Sequence, residues 1–119
     1  MESQLLAEKS MIGAILLDSS IYSQYSEILL PEYFTNTAIR KIYLAIRQVA
    51  DEGFTPVLSI ITSKLKATQG IASFLTDCIE LIPSSNQATY FFKQLQKNYY
   101  RSLYQRAVVE MPSRKLCKG

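Results

Sequence analysis

The stretch Leu5–Phe34, LLAEKSMIGAILLDSSIYSQYSEILLPEYF, decides how the rest of the chain must be read. Met11, Ile12, Ile15 and Leu16 fall at i, i+1, i+4 and i+5, one stripe of an α-helix predicted over about Gln4 to Leu17. Ala7 and Ala14 flank that stripe, and Gly13 lies inside the helix. An interior glycine costs about 1 kcal/mol against alanine, so its presence predicts a close approach by a second helix. Asp18-Ser19-Ser20 is stop-and-cap chemistry. It predicts a second helix that ends before Pro31, with Ile21, Tyr25, Ile28 and Leu29 facing inward. Pro31-Glu32-Tyr33-Phe34 then reads as a tight aromatic turn.

Working outward, Thr35 is expected to cap a third helix over about Asn36 to Glu52. There Ile39, Ile42, Tyr43, Ile46, Val49 and Ala50 recur on one face. Gly53 fits the stop after it. Thr55-Pro56 keeps the following link extended, because the residue before proline avoids the helical region. A short helix is predicted over Ser59–Ala67; Ile60 and Ile61 are β-branched, yet Lys64 and Lys66 fit a solvent face. Thr68-Gln69-Gly70 breaks the chain. Ile71, Phe74, Leu75, Cys78, Ile79 and Ile82 then mark a fifth amphipathic helix that Pro83 ends. Ser84 or Ser85 caps a sixth, predicted over Asn86 to Met111 and stopped by Pro112. Its core stripe is Ala88, Phe91, Phe92, Leu95, Tyr99, Leu103 and Ala107. No alternating strand pattern or hairpin dipeptide occurs, so the class is all-α, a compact domain of five to six helices with a long C-terminal helix. Residues 1–111 form the domain and residues 112–119 a basic flexible tail.

At 119 residues the chain is one domain. Its formal charge of +3 hides an asymmetry: residues 1–92 carry six Lys/Arg and nine Asp/Glu, whereas residues 93–119 carry seven Lys/Arg and one acid, Glu110. Histidine is absent and there are two cysteines. Cys78 reads as a small core residue and Cys117 as an unpaired thiol in the tail. Their spacing matches no metal or redox motif. With no disulfide framework, signal peptide or membrane-length apolar run, the expected compartment is the cytoplasm. No phosphate-binding G-x-x-x-x-G-K-[ST] loop is present, and four glycines leave no glycine-rich cradle. Asp51/Glu52 and Asp77/Glu80 read as solvated carboxylates on helix surfaces. No cofactor, no metal and no catalytic residue is expected.

Two surfaces on the sixth helix stand out. Its second half carries Tyr99, Tyr100, Leu103, Tyr104 and Val108, more apolar surface than one core stripe needs, which predicts self-association or partner docking. Lys93, Lys97, Arg101 and Arg106, interleaved with tyrosines, are candidate nucleic-acid contacts or a plain solvated face.

Four landmarks in order carry a resemblance. They are Ala7-Glu8-Lys9-Ser10 running into Gly13 and Leu17-Asp18; Leu30-Pro31-Glu32-Tyr33-Phe34; Arg40-Lys41-Ile42-Tyr43; and Pro83-Ser84-Ser85-Asn86 with Tyr90 and Arg101 after it. Together they resemble the N-terminal, collar domain of DnaB-type replicative DNA helicases of bacteria and phages, over about Leu6 to Glu110. The helicase-binding end of bacterial primase resembles the same helical fold; Leu-Pro-Glu-Tyr-Phe favours the helicase side. Two places depart from the family pattern: Leu58 stands where an acidic residue is usual after the proline link, and the Gly-Gly segment before the fifth helix is shortened to Gln69-Gly70-Ile71. The resemblance implies a non-catalytic interaction domain in DNA replication, either stand-alone or part of a longer helicase. Its implied partners are itself or helicase subunits, primase or a helicase loader, with weak DNA contact. The alternatives are a small DNA-binding protein using the basic last helix, or a collar mimic that antagonises helicase loading.

Overall fold

A computed structural model describes residues 2–81 and 85–110, with side chains described for residues 4–81 and 86–105. Six α-helices follow in order: α1 (Glu2–Leu17), α2 (Ser20–Tyr25), α3 (Thr37–Asp51), α4 (Leu58–Lys64), α5 (Ile71–Glu80) and α6 (Ala88–Glu110). Single 3₁₀ turns precede α3 (Pro31–Tyr33) and α6 (Ser85–Gln87). The described residues contain no strand.

Helix α1 is the hub. It packs most extensively on α5 and α6 and also on α2 and α3. Between Ala7 and Leu16 every residue is buried except the half-buried Lys9. The expected single stripe is therefore too narrow. A helix surrounded by others must be apolar or small on all sides, and Ala7, Ser10, Gly13 and Ala14 supply the small sides. At Gly13 the approach is closest: a Cβ built there would lie 2.1 Å from the Cys78 carbonyl oxygen and 3.1 Å from the Ile79 Cα. The glycine is what lets α1 and α5 meet backbone to backbone, as its place in the sequence predicts.

The turn between α2 and α3 is held by side chains, and most of them belong to the sequence landmarks. Glu8, fully buried, reaches from α1 to its backbone. One carboxylate oxygen accepts the Thr35 N–H at 2.9 Å and hydroxyl at 2.8 Å, and the other accepts the Asn36 N–H at 3.2 Å. Negative charge there also faces the positive end of α3. Arg40 Nε donates to the Phe34 carbonyl at 2.9 Å, and the buried Tyr43 hydroxyl donates to the Leu29 carbonyl at 2.6 Å. Burial pushes the Tyr43 phenol up to about 12, against a smaller opposing pull from Arg47.

Four local expectations are corrected here. Thr35 does not cap α3, because Glu8 takes its hydroxyl; the cap is Asn36, whose side chain accepts the Ile39 N–H at 3.1 Å. Helix α2 ends at Tyr25, short of Pro31, so the helical period breaks and Ile28 is 49% exposed while Leu29 is fully buried. The short fourth helix stops at Lys64 instead of Ala67. The core stripe expected along α6 also ends early: Leu103 is 38% exposed because the helix has by then passed the last element it packs on, and the Ala107 side chain lies outside the described residues. Other local expectations agree with the structure. Gly53, at φ +92°, donates to Ala50 while the Phe54 N–H reaches Val49, the paired bonds of a Schellman stop. Cys78 is buried, and burial pushes its thiol up to about 11. Asp51, Glu52, Asp77 and Glu80 are all exposed. Ile82, Pro83 and Ser84 lie outside the described residues, as does the expected tail, residues 112–119.

Candidate interaction surface on the last helix

Helix α6 begins as a core element. Ala88, Phe92 and Leu95 are buried. Phe92 packs on Tyr25 and Tyr33, with ring centroids 4.8 and 6.1 Å apart, and the Tyr25 hydroxyl meets the Thr89 hydroxyl at 2.7 Å. Further along, Asn98 donates to the Gln4 side chain at 2.6 Å, and Gln4 in turn donates to Glu8 and to the Tyr33 carbonyl. One chain of polar contacts therefore joins α6, α1 and the turn ahead of α3.

Beyond Tyr99 the helix leaves the body. Tyr99 is half-buried, its ring 4.9 Å from that of Tyr33. Tyr100, Arg101, Ser102, Leu103, Tyr104 and Gln105 are all exposed, on every side of the helix. A 23-residue helix is about 34 Å long. The molecule measures 55 Å along its longest axis against 29 and 27 Å across, with a radius of gyration of 16.4 Å. A compact chain of this length would have a radius of about 13–14 Å.

The five residues expected to associate are thus dispersed. Tyr99 is spent largely on Tyr33. Tyr100 (54% exposed), Leu103 (38%) and Tyr104 (71%) share the overhang. The phenol of Tyr100 lies beside Tyr33, where burial first and that neighbour second push the Tyr33 phenol up. The Val108 side chain lies outside the described residues. Among the candidate nucleic-acid contacts, Lys93, Lys97 and Arg101 are exposed, and the Arg106 side chain is likewise outside the described residues.

Other surfaces offer little chemistry. Two shallow grooves of about 470 and 450 Å³ flank Phe54, which is 61% exposed. The first is lined by hydroxyls (Ser19, Ser23, Ser26, Thr55) and Asp51, the second by Glu52 and Lys64 among small and apolar residues. Among the described residues no three acidic or cysteine side chains gather as a metal site would require, and no helix is long and apolar enough to cross a membrane. The contact that sequence reasoning missed is the Glu8 clamp. An A-E-K-S run looks solvent-facing, and nothing local links Glu8 to a backbone 27 residues away.

Comparison with known proteins agrees with this architecture. Residues 1–97 match the family model described as the DnaB-like helicase N terminal domain. The replicative DNA helicase DnaB of Geobacillus stearothermophilus is 32% identical over 96 residues, covering 76% of this chain and 21% of the helicase. The replicative DNA helicase DnaC of Bacillus subtilis (strain 168) is 33% identical over 96 residues with the same shares. The replicative DNA helicase DnaB of Treponema pallidum (strain Nichols) is 25% identical over 92 residues, 73% of this chain and 21% of that protein. The matched region is about a fifth of each relative. An all-α body built around α1, the four landmarks and the family match over residues 1–97 together mean that this chain belongs to the DnaB-like helicase N-terminal domain family.

Proposed function

We propose that this chain is a non-catalytic protein-interaction domain of DNA replication and that the overhanging half of α6 is its self-association surface. The observation that carries the reading is the exposure of Tyr100, Leu103 and Tyr104 on a helix whose first half is already committed to the core. In the sequence these residues continue to Ala107 and Val108 at i, i+3, i+4, i+7 and i+8, the spacing of a helix-pairing seam. Solvent-exposed aromatic and aliphatic side chains in one strip are the composition of a docking surface. A second copy, or a helicase subunit with the same helix, supplies a matching seam. Primase and a helicase loader are further partners of the same kind of contact, and the cytoplasm of a bacterial or phage-infected cell is where they would meet.

Sedimentation over a concentration series tests this. The parent is expected to associate, and Tyr100→Asp and Leu103→Asp are expected to shift it to monomer with an unchanged circular dichroism spectrum. A monomeric parent at high concentration that also ignores purified helicase and primase would overturn the reading.

A further inference from the structure

We propose that the outward face of α6 is a binding strip for single-stranded nucleic acid that runs up to the association seam and shares only Tyr104 with its exposed residues. At 3.6 residues per turn, Tyr90, Lys93, Lys97, Arg101 and Tyr104 fall within an arc of about 80°, centred opposite the buried Ala88, Phe92 and Leu95. All five are exposed, Tyr90 at 60% and Tyr104 at 71%. The strip is about 21 Å long at roughly 1.5 Å rise per residue.

Its chemistry is one-sided. From Leu81 to Val109 the chain has no Asp or Glu. Among the described residues none of Lys93, Lys97 and Arg101 is paired with a carboxylate, although the first 92 residues are net acidic. Three unneutralised cations in line offer a track for successive phosphates. Tyrosines at both ends of that track offer flat faces that an unpaired base can stack on, and stacking accepts any base. The Tyr90 ring meets Phe91 edge-on at 5.1 Å and its hydroxyl accepts from the Gln94 side chain at 3.0 Å, contacts that hold the ring while leaving 60% of the residue exposed. An acidic peptide would use the cations but not the rings, and a duplex, whose bases are already stacked, would use the phosphate track alone. Cations and rings together therefore favour a single strand. Arg106, whose side chain lies outside the described residues, is not counted in the strip, whereas Tyr90, one turn into α6, belongs to it.

Fluorescence anisotropy of a labelled thymidine 20-mer with the full chain tests the strip, together with quenching of tyrosine emission, which no tryptophan obscures. Binding is expected at low salt with quenched tyrosine emission. Lys93→Gln with Lys97→Gln should flatten the log–log salt slope by about 1.4, at roughly 0.7 for each phosphate that is no longer neutralised. Tyr90→Ala should weaken binding by about 5- to 150-fold without changing that slope. Both variants lie on exposed positions away from Leu103, so their oligomeric state should equal the parent's. Failure of self-association would therefore leave this result standing, and the reverse also holds. Absence of binding at low salt would overturn the proposal. So would a salt slope indifferent to Lys93 and Lys97, Tyr90→Ala binding as tightly as the parent, or equal competition by polyglutamate or by duplex.

Discussion

Gly13→Ala is the substitution that most sharply tests how α1 and α5 are joined. A methyl at this position would stand 2.1 Å from the Cys78 carbonyl oxygen and 2.6 Å from its carbon. Ordinary contact begins near 3.4 Å, so α5 must withdraw by about 1.3 Å. The opposing atoms are backbone and cannot rotate aside. Helix α1 cannot recoil either, because α3 and α6 pack on it as well. Overpacking of this kind costs about 1–3 kcal/mol, and a rigid opponent places it toward the top of that range. Alanine returns about 1 kcal/mol of helix propensity. The net loss is about 1–2 kcal/mol, a fall in Tm of roughly 3–8 °C for a domain of this size. If Gly13 faced open space, the propensity term would act alone and Tm would rise by a few degrees, so the two accounts differ in sign. Thermal and urea melts followed by circular dichroism read the difference. A second readout uses the buried Cys78, whose high-lying thiol should react slowly with a thiol reagent in a Cys117→Ser background and faster once α5 is displaced. An unchanged or higher Tm, with unchanged Cys78 reactivity, would refute the packing.

Glu8→Ala removes the acceptor of two backbone N–H groups and a hydroxyl ahead of α3, and is expected to cost about 2 kcal/mol in a urea melt. Ser10→Ala should instead raise Tm by a few degrees, because the buried Ser10 hydroxyl has no partner among the described residues and alanine is the better helix former. Stability should also fall steeply in alkali. The folded pKa of Cys78 is raised from 9.0 to about 11 and that of Tyr43 from 10.0 to about 12, both mainly by burial. Their neutral forms are the ones the fold favours, so the contribution is complete below about pH 9 and is lost as pH climbs through 9–12, roughly 2–3 kcal/mol for each group. Urea midpoints at pH 8, 10 and 11.5 would measure it, and a flat series would contradict the burial of both groups.

What the sequence makes legible, and what it hides, follows from the range of each interaction. Period and punctuation act over a few residues, so the face of α3, the Schellman stop at Gly53 and the break ahead of α5 can be read directly. The choice between Thr35 and Asn36 as cap cannot. Both are competent, and the decision is made by Glu8, an acceptor 27 residues away. Ile28 misleads for a related reason: a period continues on paper through a turn that ends the helix in space. The landmarks that carry the family resemblance prove to be largely ties of this long-range sort, since Glu8, Arg40 and Tyr43 all grip the backbone between Leu29 and Asn36. Such residues hold the fold, and substitutions among them will disturb any activity through stability. The exposed half of α6 stands in the opposite position. Residues 101–105 are all exposed, and they lie beyond residue 97, where the family match ends. A change there is expected to alter the proposed association or strand binding at constant stability. Tyr90, Lys97 and Leu103, not the landmarks, are therefore the positions at which function can be separated from folding.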